Sequence, residues 1–160
     1  MSFLGAQNGI ALGVQGLIHI DTGVVGSADY LLAKSLRFRS SASAYLNRTV
    51  SAAVSTYTVS MWVKRGTLTS TYQYLFSHPN SANNDGYGLA YNQTTDTMYY
   101  YNGTTYATTA AYRDPAAWYH IVFVNNAGAF TLYINGSSIL TGTATTIPSG
   151  AVMNLGRWYS

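Results

Sequence analysis

The feature that most constrains the fold is the stretch of residues 118–136, WYHIVFVNNAGAFTLYING. Residues 118–124 carry apolar or aromatic side chains at both alternating sets of positions, which predicts a strand covered on both faces. Residues 130–134 place large apolar side chains at every second position, which predicts a half-buried strand. The polar turn 125–129 separates the two strands, and Asn135-Gly136 favours a type I′ hairpin turn.

The rest of the chain repeats this pattern in shorter pieces. Turn signals recur about every 8–12 residues, and no segment has a convincing helical period, which is typical of a sandwich or barrel. We therefore expect an all-β fold of nine to eleven strands. The predicted strands, besides those at 118–124 and 130–134, are residues 36–39, a strand starting at 45, and residues 57–64, 72–77, 86–91, 97–101, 104–109, 138–141 and 152–156.

Charged side chains are scarce, at 8% of 160 residues against about a quarter in an average domain. Tyrosine is abundant, with 15 copies, and there is no glutamate or cysteine. Disulfides and thiolate metal sites are thereby excluded. The net charge of +3 is spread along the chain, so we expect no nucleic-acid partner. No apolar run is long enough for a membrane span, and the start of the chain lacks the early positive charge of a secretory signal.

The first 20 residues carry no formal charge apart from a possible proton on His19. Glycines recur through them at a spacing that disfavours a helix. Such an uncharged apolar leader is either a floppy terminus or, as we predict, a docking arm (residues 1–33) that orders on binding a partner. The apolar residues expected to dock are Phe3, Leu4, Ile10, Leu12, Val14, Leu17 and Ile18.

Several segments match, in order, a known family pattern. They are SLRF at 35–38, YTVSMWVKRG at 57–66, YLFS at 74–77, GYGLAY at 86–91, WYHIVFV at 118–124, LYING at 132–136 and MNLGRW at 153–158. With these segments the chain resembles the concanavalin A-like lectin/glucanase superfamily in its laminin G-like, pentraxin-like form. The resemblance implies a two-sheet antiparallel jelly roll over residues 34–160, following an extended N-terminal arm. Domains with these sequence segments are common in phage structural proteins.

In one respect this sequence departs from the family pattern. Family members normally continue past the LGRW-like strand with a segment that returns to complete the sheets, whereas this sequence stops at Ser160. We expect either a truncated sandwich or one whose last strands come from a partner, because an unfinished sandwich leaves an open edge.

Hydrolytic chemistry is disfavoured by the acidic residues. Glycoside hydrolysis needs two carboxyl groups at a set separation. With no glutamate, and no strand carrying two aspartates at i and i+2, such a pair could arise only between loops. A Ser-His-Asp set is possible by composition, but no nucleophile elbow accompanies His19, His78 or His120. We predict that the protein is not an enzyme.

Two binding sites remain candidates. Asn83, Asn84 and Asp85 offer oxygen ligands of the kind calcium uses at the rim of laminin G-like domains, but NNDG is equally good turn chemistry, and we expect no cofactor. Tyrosine rings and amides suit sugars, although alternating tyrosines in a sandwich are also core residues or cross-strand pairs. The predicted glycan-binding residues are Tyr87, Tyr91, Tyr99, Tyr101, Tyr106 and Asn102.

Together these features predict a non-enzymatic adhesion module of a phage particle, in a tail fibre, a tail or a head decoration. Its partners would be other virion proteins, bound through residues 1–33, and a host-surface glycan. The expected assembly is a homo-oligomer, and a trimer is favoured. The alternative is a secreted or cell-surface lectin.

Overall fold

The computed structural model describes residues 35–68, 71–80 and 86–158 and is an all-β structure. Ten strands follow a short 3-10 turn, Ser40–Ala42. They are β1 (Leu46–Thr49), β2 (Thr56–Val63), β3 (Gln73–Pro79), β4 (Gly86–Tyr91), β5 (Thr97–Tyr101), β6 (Thr105–Ala111), β7 (Tyr119–Asn126), β8 (Ala129–Ile134), β9 (Ser137–Thr143) and β10 (Val152–Leu155).

The strands form two antiparallel sheets, which confirms the predicted two-sheet sandwich. The six-stranded sheet has the order β1-β10-β3-β4-β5-β6, and the four-stranded sheet has the order β2-β7-β8-β9. No helix in the described ranges is long and apolar enough to cross a membrane. The docking-arm residues Phe3 to Ile18 lie outside the described residues, as do the three predicted calcium ligands, 83–85.

Two tight turns build the four-stranded sheet. Asn135 and Gly136, between β8 and β9, have φ values of 51° and 82°, as the predicted type I′ turn requires. Ala127 and Gly128, between β7 and β8, also have positive φ, at 50° and 100°. Type I′ turns match the right-handed twist of the strands they join, so this part of the fold follows from local sequence.

Aromatic rings from both sheets fill the space between them. Phe123 of β7 and Phe130 of β8 stack at 5.1 Å, and Tyr100 of β5 lies 4.7 Å from Phe123. All three are buried. Burial raises the pKa of Tyr100 to about 12, so its hydroxyl stays neutral at physiological pH.

Two of the predictions made from the sequence about strands are wrong. Residues 35–39 form no strand, and Leu36 is 70% exposed, because an alternating pattern makes a strand only where another strand pairs with it. β7 was predicted to be covered on both faces, yet Val122 and Val124 on its outer face are only half-buried. The sandwich has two layers, and among the described elements nothing packs on the outside of the four-stranded sheet.

Candidate functional site

Five aromatic side chains meet on the outer face of the six-stranded sheet, and we call them the outer aromatic cluster. Tyr72 lies 6.0 Å from Tyr74 and 5.1 Å from Tyr99, measured between ring centroids. Trp158 lies 4.6 Å from Tyr74 and 6.4 Å from Tyr101. The five rings therefore form one continuous cluster on the outside of β3, β4 and β5, in which Tyr72 is exposed and Tyr99 is buried.

Strand register explains why Tyr99 and Tyr101 of β5 lie on the outer face. Tyr100 points into the core, so its neighbours Tyr99 and Tyr101 point out. In the ladder Tyr99 pairs with Ala90 and Tyr101 pairs with Gly88. The outer face of β4 thus carries only small residues, and the rings of the neighbouring strands stand on either side of it.

A turn after β10 brings Trp158 onto this face. Gly156 has a φ of 81°, and its amide donates to the Leu75 carbonyl at 3.2 Å. Ser77 Oγ then donates to the Arg157 carbonyl at 2.9 Å. A Cβ atom added at Gly88 would lie 3.3 Å from Trp158 Cζ3, so the indole rests on the space that this glycine leaves open.

The cluster combines apolar ring surface with neutral hydroxyl groups. Tyr99 Oη donates to Tyr74 Oη at 3.1 Å. Burial, followed by this hydrogen bond, raises the pKa of Tyr99, and burial also raises the pKa of Tyr74. Both groups are un-ionised at any physiological pH, so they offer ring faces for stacking and neutral hydroxyl groups for hydrogen bonding.

Of the six predicted glycan-binding residues, only Tyr99 and Tyr101 belong to this cluster. Tyr91 is 1% exposed in the core, where the Arg65 guanidinium lies 4.5 Å from its ring centre. Tyr106 points inward and packs against Phe130 at 5.2 Å. A ligand on the outer face could not reach either ring.

The other two predicted residues also have structural partners. Tyr87 packs edge-on against buried His78 at 5.7 Å, on the inner side of β4. Asn102 donates from Nδ2 to the Thr143 carbonyl, at 2.6 Å, and so ties the β5–β6 turn to β9. These contacts account for both side chains without a ligand.

Sequence reasoning missed Tyr72, Tyr74 and Trp158. The alternation of residues 97–101 is enough to put Tyr99 and Tyr101 on one face. Nothing local indicates that β3 pairs beside β4, or that the chain after β10 folds back over Gly88, because both facts depend on contacts far apart in sequence.

A smaller aromatic pair lies on the outer face of the four-stranded sheet. Trp62 is 57% exposed and stacks on His120, with ring centroids 4.8 Å apart. His120 Nε2 also lies 3.1 Å from Ser60 Oγ, but no carboxylate partner of His120 occurs in the described part of the chain. The pair therefore lacks the third member of a catalytic triad.

The described carboxylates are engaged elsewhere. Asp96 forms ion pairs with Arg65 at 3.0 Å and Arg113 at 3.1 Å. Asp114 Oδ1 accepts the backbone amide of Ala116 at 2.7 Å. Within residues 35–68, 71–80 and 86–158 no three His, Asp, Glu or Cys side chains group as metal ligands. The calcium prediction at residues 83–85 stays a prediction.

Comparison with known proteins adds the family. A family model described as the concanavalin A-like lectin/glucanases superfamily matches residues 38–159. A comparison with curated protein sequences finds no match.

Solved structures share the fold at low sequence identity. The native heptameric SAP-like pentraxin from Limulus polyphemus is 20% identical, with a TM-score of 0.51, over 71% of this chain and 57% of its own. Domain 4 of AbnA, a GH43 extracellular arabinanase from Geobacillus stearothermophilus, solved in complex with arabinotriose, is 23% identical, with a TM-score of 0.50, over 68% and 55%. The chain thus spans little more than half the length of these two structures.

Proposed function

Since the chain belongs to the concanavalin A-like lectin/glucanases superfamily, we propose that it is a non-catalytic carbohydrate-binding module that binds glycans with its outer aromatic cluster. The observation that carries this proposal is the cluster of five adjoining rings on one sheet face, in which Tyr72 is 39% exposed, whereas Tyr99, at 6%, is buried among the others. Sugar rings present C–H faces that pack on aromatic rings, and hydroxyl groups that can pair with tyrosine hydroxyls.

The contacts of the described carboxylates favour binding over bond cleavage. Asp96 is paired with two arginines, and Asp114 caps a turn. Neither is available as one half of the carboxyl pair that glycoside hydrolysis uses. The tyrosines of the cluster with a raised pKa are too weakly acidic to replace it.

For the biological setting, we propose an adhesion module of a phage particle, as the sequence resemblance implies. In this proposal residues 1–33 attach the module to other virion proteins. The module is displayed as a homo-oligomer, with a trimer favoured, and its ligand is a host-surface glycan. The uncharged apolar leader supports the attachment role. Deleting residues 1–33 should abolish incorporation into particles while the sandwich still folds. Normal incorporation of the truncated protein would contradict the attachment role.

A glycan array with matched variants tests the binding face. We expect the purified protein to retain at least one glycan, and Trp158→Ala and Tyr101→Ala to weaken that binding by about tenfold or more, since each removes a stacking surface worth about 1.5 kcal/mol. Trp62→Ala removes an exposed indole from the opposite sheet and should leave binding unchanged. Circular dichroism would verify that all three variants fold. Retention of no glycan, or equal losses in all three variants, would overturn the proposal.

A further inference from the structure

Two aromatic side chains from the chain before β1 pack on the turn that follows β10. A Cβ atom added at Gly156 would lie 2.7 Å from Phe38 Cδ1, so the Phe38 ring lies directly on this glycine. The Arg157 guanidinium lies 4.1 Å from the centre of the Tyr45 ring, which is a cation–π contact. Two consecutive residues of the turn are therefore covered by two rings from one short segment.

This segment folds locally so that both rings reach the turn. Two backbone amides donate to the Arg39 carbonyl, at 3.1 Å and 3.3 Å, and close a compact turn between the rings. Leu46 then pairs with Leu155 in the ladder of β1 and β10. Tyr45 precedes Leu46, so the antiparallel register places it beside the residue that follows Leu155. Short-range and ladder contacts thus fix where the two rings lie.

The contact with Arg157 extends to the backbone of Trp158. Arg157 Nε donates to the Trp158 carbonyl at 3.3 Å, so one guanidinium joins the Tyr45 ring to the backbone of the tryptophan. On the sheet side, the amide of Gly156 and the hydroxyl of Ser77 supply the hydrogen bonds described above. The turn is thus held by hydrogen bonds from the sheet and by two rings from outside.

The exposure of the two rings indicates what they contribute. Phe38 and Tyr45 both remain partly exposed to solvent. Such rings stabilise the fold less than core rings do, because less apolar area is removed from water. Their contacts restrict Gly156 and Arg157, the two residues that precede Trp158. Their main effect should therefore fall on the indole and less on global stability.

We propose that Phe38 and Tyr45 are positioning residues of the glycan site, which hold the Trp158 indole against Gly88 although neither ring belongs to the outer aromatic cluster. This inference rests on the proposed function, in which the indole is a stacking surface. An indole that is already fixed loses less entropy when a sugar binds, because it has fewer rotamers left to lose. Removing either ring should therefore weaken glycan binding in a protein that still folds.

Fluorescence of Trp158 tests the positioning role without a ligand. The chain has three tryptophans, so Trp62→Phe and Trp118→Phe together leave Trp158 as the single emitter in the 160-residue protein. Acrylamide quenching reports how accessible the indole is, and time-resolved anisotropy reports how freely it rotates. Circular dichroism verifies that each variant folds.

Four substitutions in this background separate the ring contacts from general effects. Phe38→Ala removes one ring, and Tyr45→Leu removes the other while keeping an apolar side chain. Tyr45→Phe keeps the ring that faces Arg157 and serves as the conservative variant. Ile139→Ala is the matched control, since it removes a comparably exposed apolar side chain from β9 in the other sheet.

We expect Phe38→Ala and Tyr45→Leu to increase acrylamide quenching of Trp158 and to speed its local rotation. Both should weaken binding to the oligosaccharides that a glycan array retains by about threefold to tenfold. Tyr45→Phe and Ile139→Ala should change neither the fluorescence nor the binding, because both rings stay in place. Rings that merely stabilised the fold would lower the thermal midpoint and leave the indole as restricted as before.

Unchanged quenching and rotation in both Phe38→Ala and Tyr45→Leu would overturn the proposal, whatever the glycan result. A loosened indole with undiminished binding would overturn it as well, because the rings would then not position a binding group. Either result leaves the proposed function standing. If the parent protein retains no oligosaccharide, the proposed function fails and this role in binding fails with it.

Discussion

The guanidinium of Arg65, which is 3% exposed, lies 3.0 Å from the carboxylate of Asp96. Its Nε donates to Gln73 Oε1 at 2.7 Å, and its Nη1 donates to the Tyr112 carbonyl at 2.8 Å. It also lies over the ring of Tyr91. One buried cation thus joins the chain after β2 to β3, β4 and the loops that flank β5 and β6.

Replacing Arg65 should strongly destabilise the sandwich. Arg65→Met leaves a largely buried carboxylate without its main partner, and we expect a loss of about 3–5 kcal/mol in the free energy of unfolding, measured by urea denaturation. Arg113 is the other partner of Asp96, and the Arg113 side chain is 63% exposed. Arg113→Met should therefore lower the free energy of unfolding by about 1 kcal/mol or less. Equal losses in the two variants would contradict the assigned role of burial.

His78 should make the fold sensitive to acid. It is fully buried, and its Nδ1 donates to the Pro79 carbonyl. Burial lowers its pKa from 6.5 to about 4, because it disfavours the charged imidazolium. Between those values the unfolded chain binds a proton that the folded chain does not. The contribution of the neutral ring is therefore complete above pH 6.5 and is lost as the pH falls to 4, by up to about 3 kcal/mol.

Urea midpoints measured from pH 7.5 to pH 4 would check this prediction. His78→Phe keeps an aromatic ring beside Tyr57, Phe76 and Tyr87 and removes the titrating group. Its stability should fall less steeply with acid than that of the unmodified protein. If the two pH profiles run parallel, His78 is not the source of the acid sensitivity.

Gly142 should tolerate no side chain. A Cβ there would lie 2.6 Å from Phe130 Cε1 and would also collide with the Tyr106 ring. We expect Gly142→Ala to lower the free energy of unfolding by about 1–3 kcal/mol, through overpacking between β6, β8 and β9. Gly66→Ala serves as the control, because nothing lies within 4 Å of its Cβ position, and it should be neutral or slightly stabilising. Similar thermal midpoints for both variants would count against this packing.

The β7–β8 turn offers a stabilising substitution. Ala127 has a φ of 50°, a region that alanine occupies at a cost and that asparagine tolerates. Ala127→Asn should raise the free energy of unfolding by about 0.5–1 kcal/mol, as measured by thermal denaturation. Ala129→Asn, two residues later at the start of β8, should bring no gain. A loss in Ala127→Asn would show that this turn is not strained.

Two substitutions at Tyr72 would separate ring stacking from hydroxyl contacts, given the proposed function. Tyr72 is 39% exposed at the rim of the outer aromatic cluster. We expect Tyr72→Ala to weaken glycan binding about tenfold and Tyr72→Phe to weaken it less than about threefold, by titration calorimetry, because the ring face supplies most of the contact. Equal weakening by both changes would assign the contact to the hydroxyl group instead.

The sequence predicted the positions of the strands well, but it predicted poorly which side chains of a strand face the core. Residues 118–136 predict β7, β8 and the Asn135-Gly136 turn, because alternation and positive φ are local properties. The same alternation places Tyr99 and Tyr101 on one face of β5. It misplaced Tyr91, since large residues at alternate positions of β4 fit either a core face or a ligand face. The deciding fact is that Tyr91 pairs with Met98 in the buried ladder.

Sequence alone determined an all-β chain with a type I′ turn at Asn135-Gly136 and few charged groups, since these follow from residue types and their spacing. Only the tertiary structure decided which tyrosines share the outer face, how Trp158 comes to rest over Gly88, and that β10 pairs between β1 and β3. Those relationships join residues distant along the chain. They depend on strand order and sheet width, which no local pattern encodes.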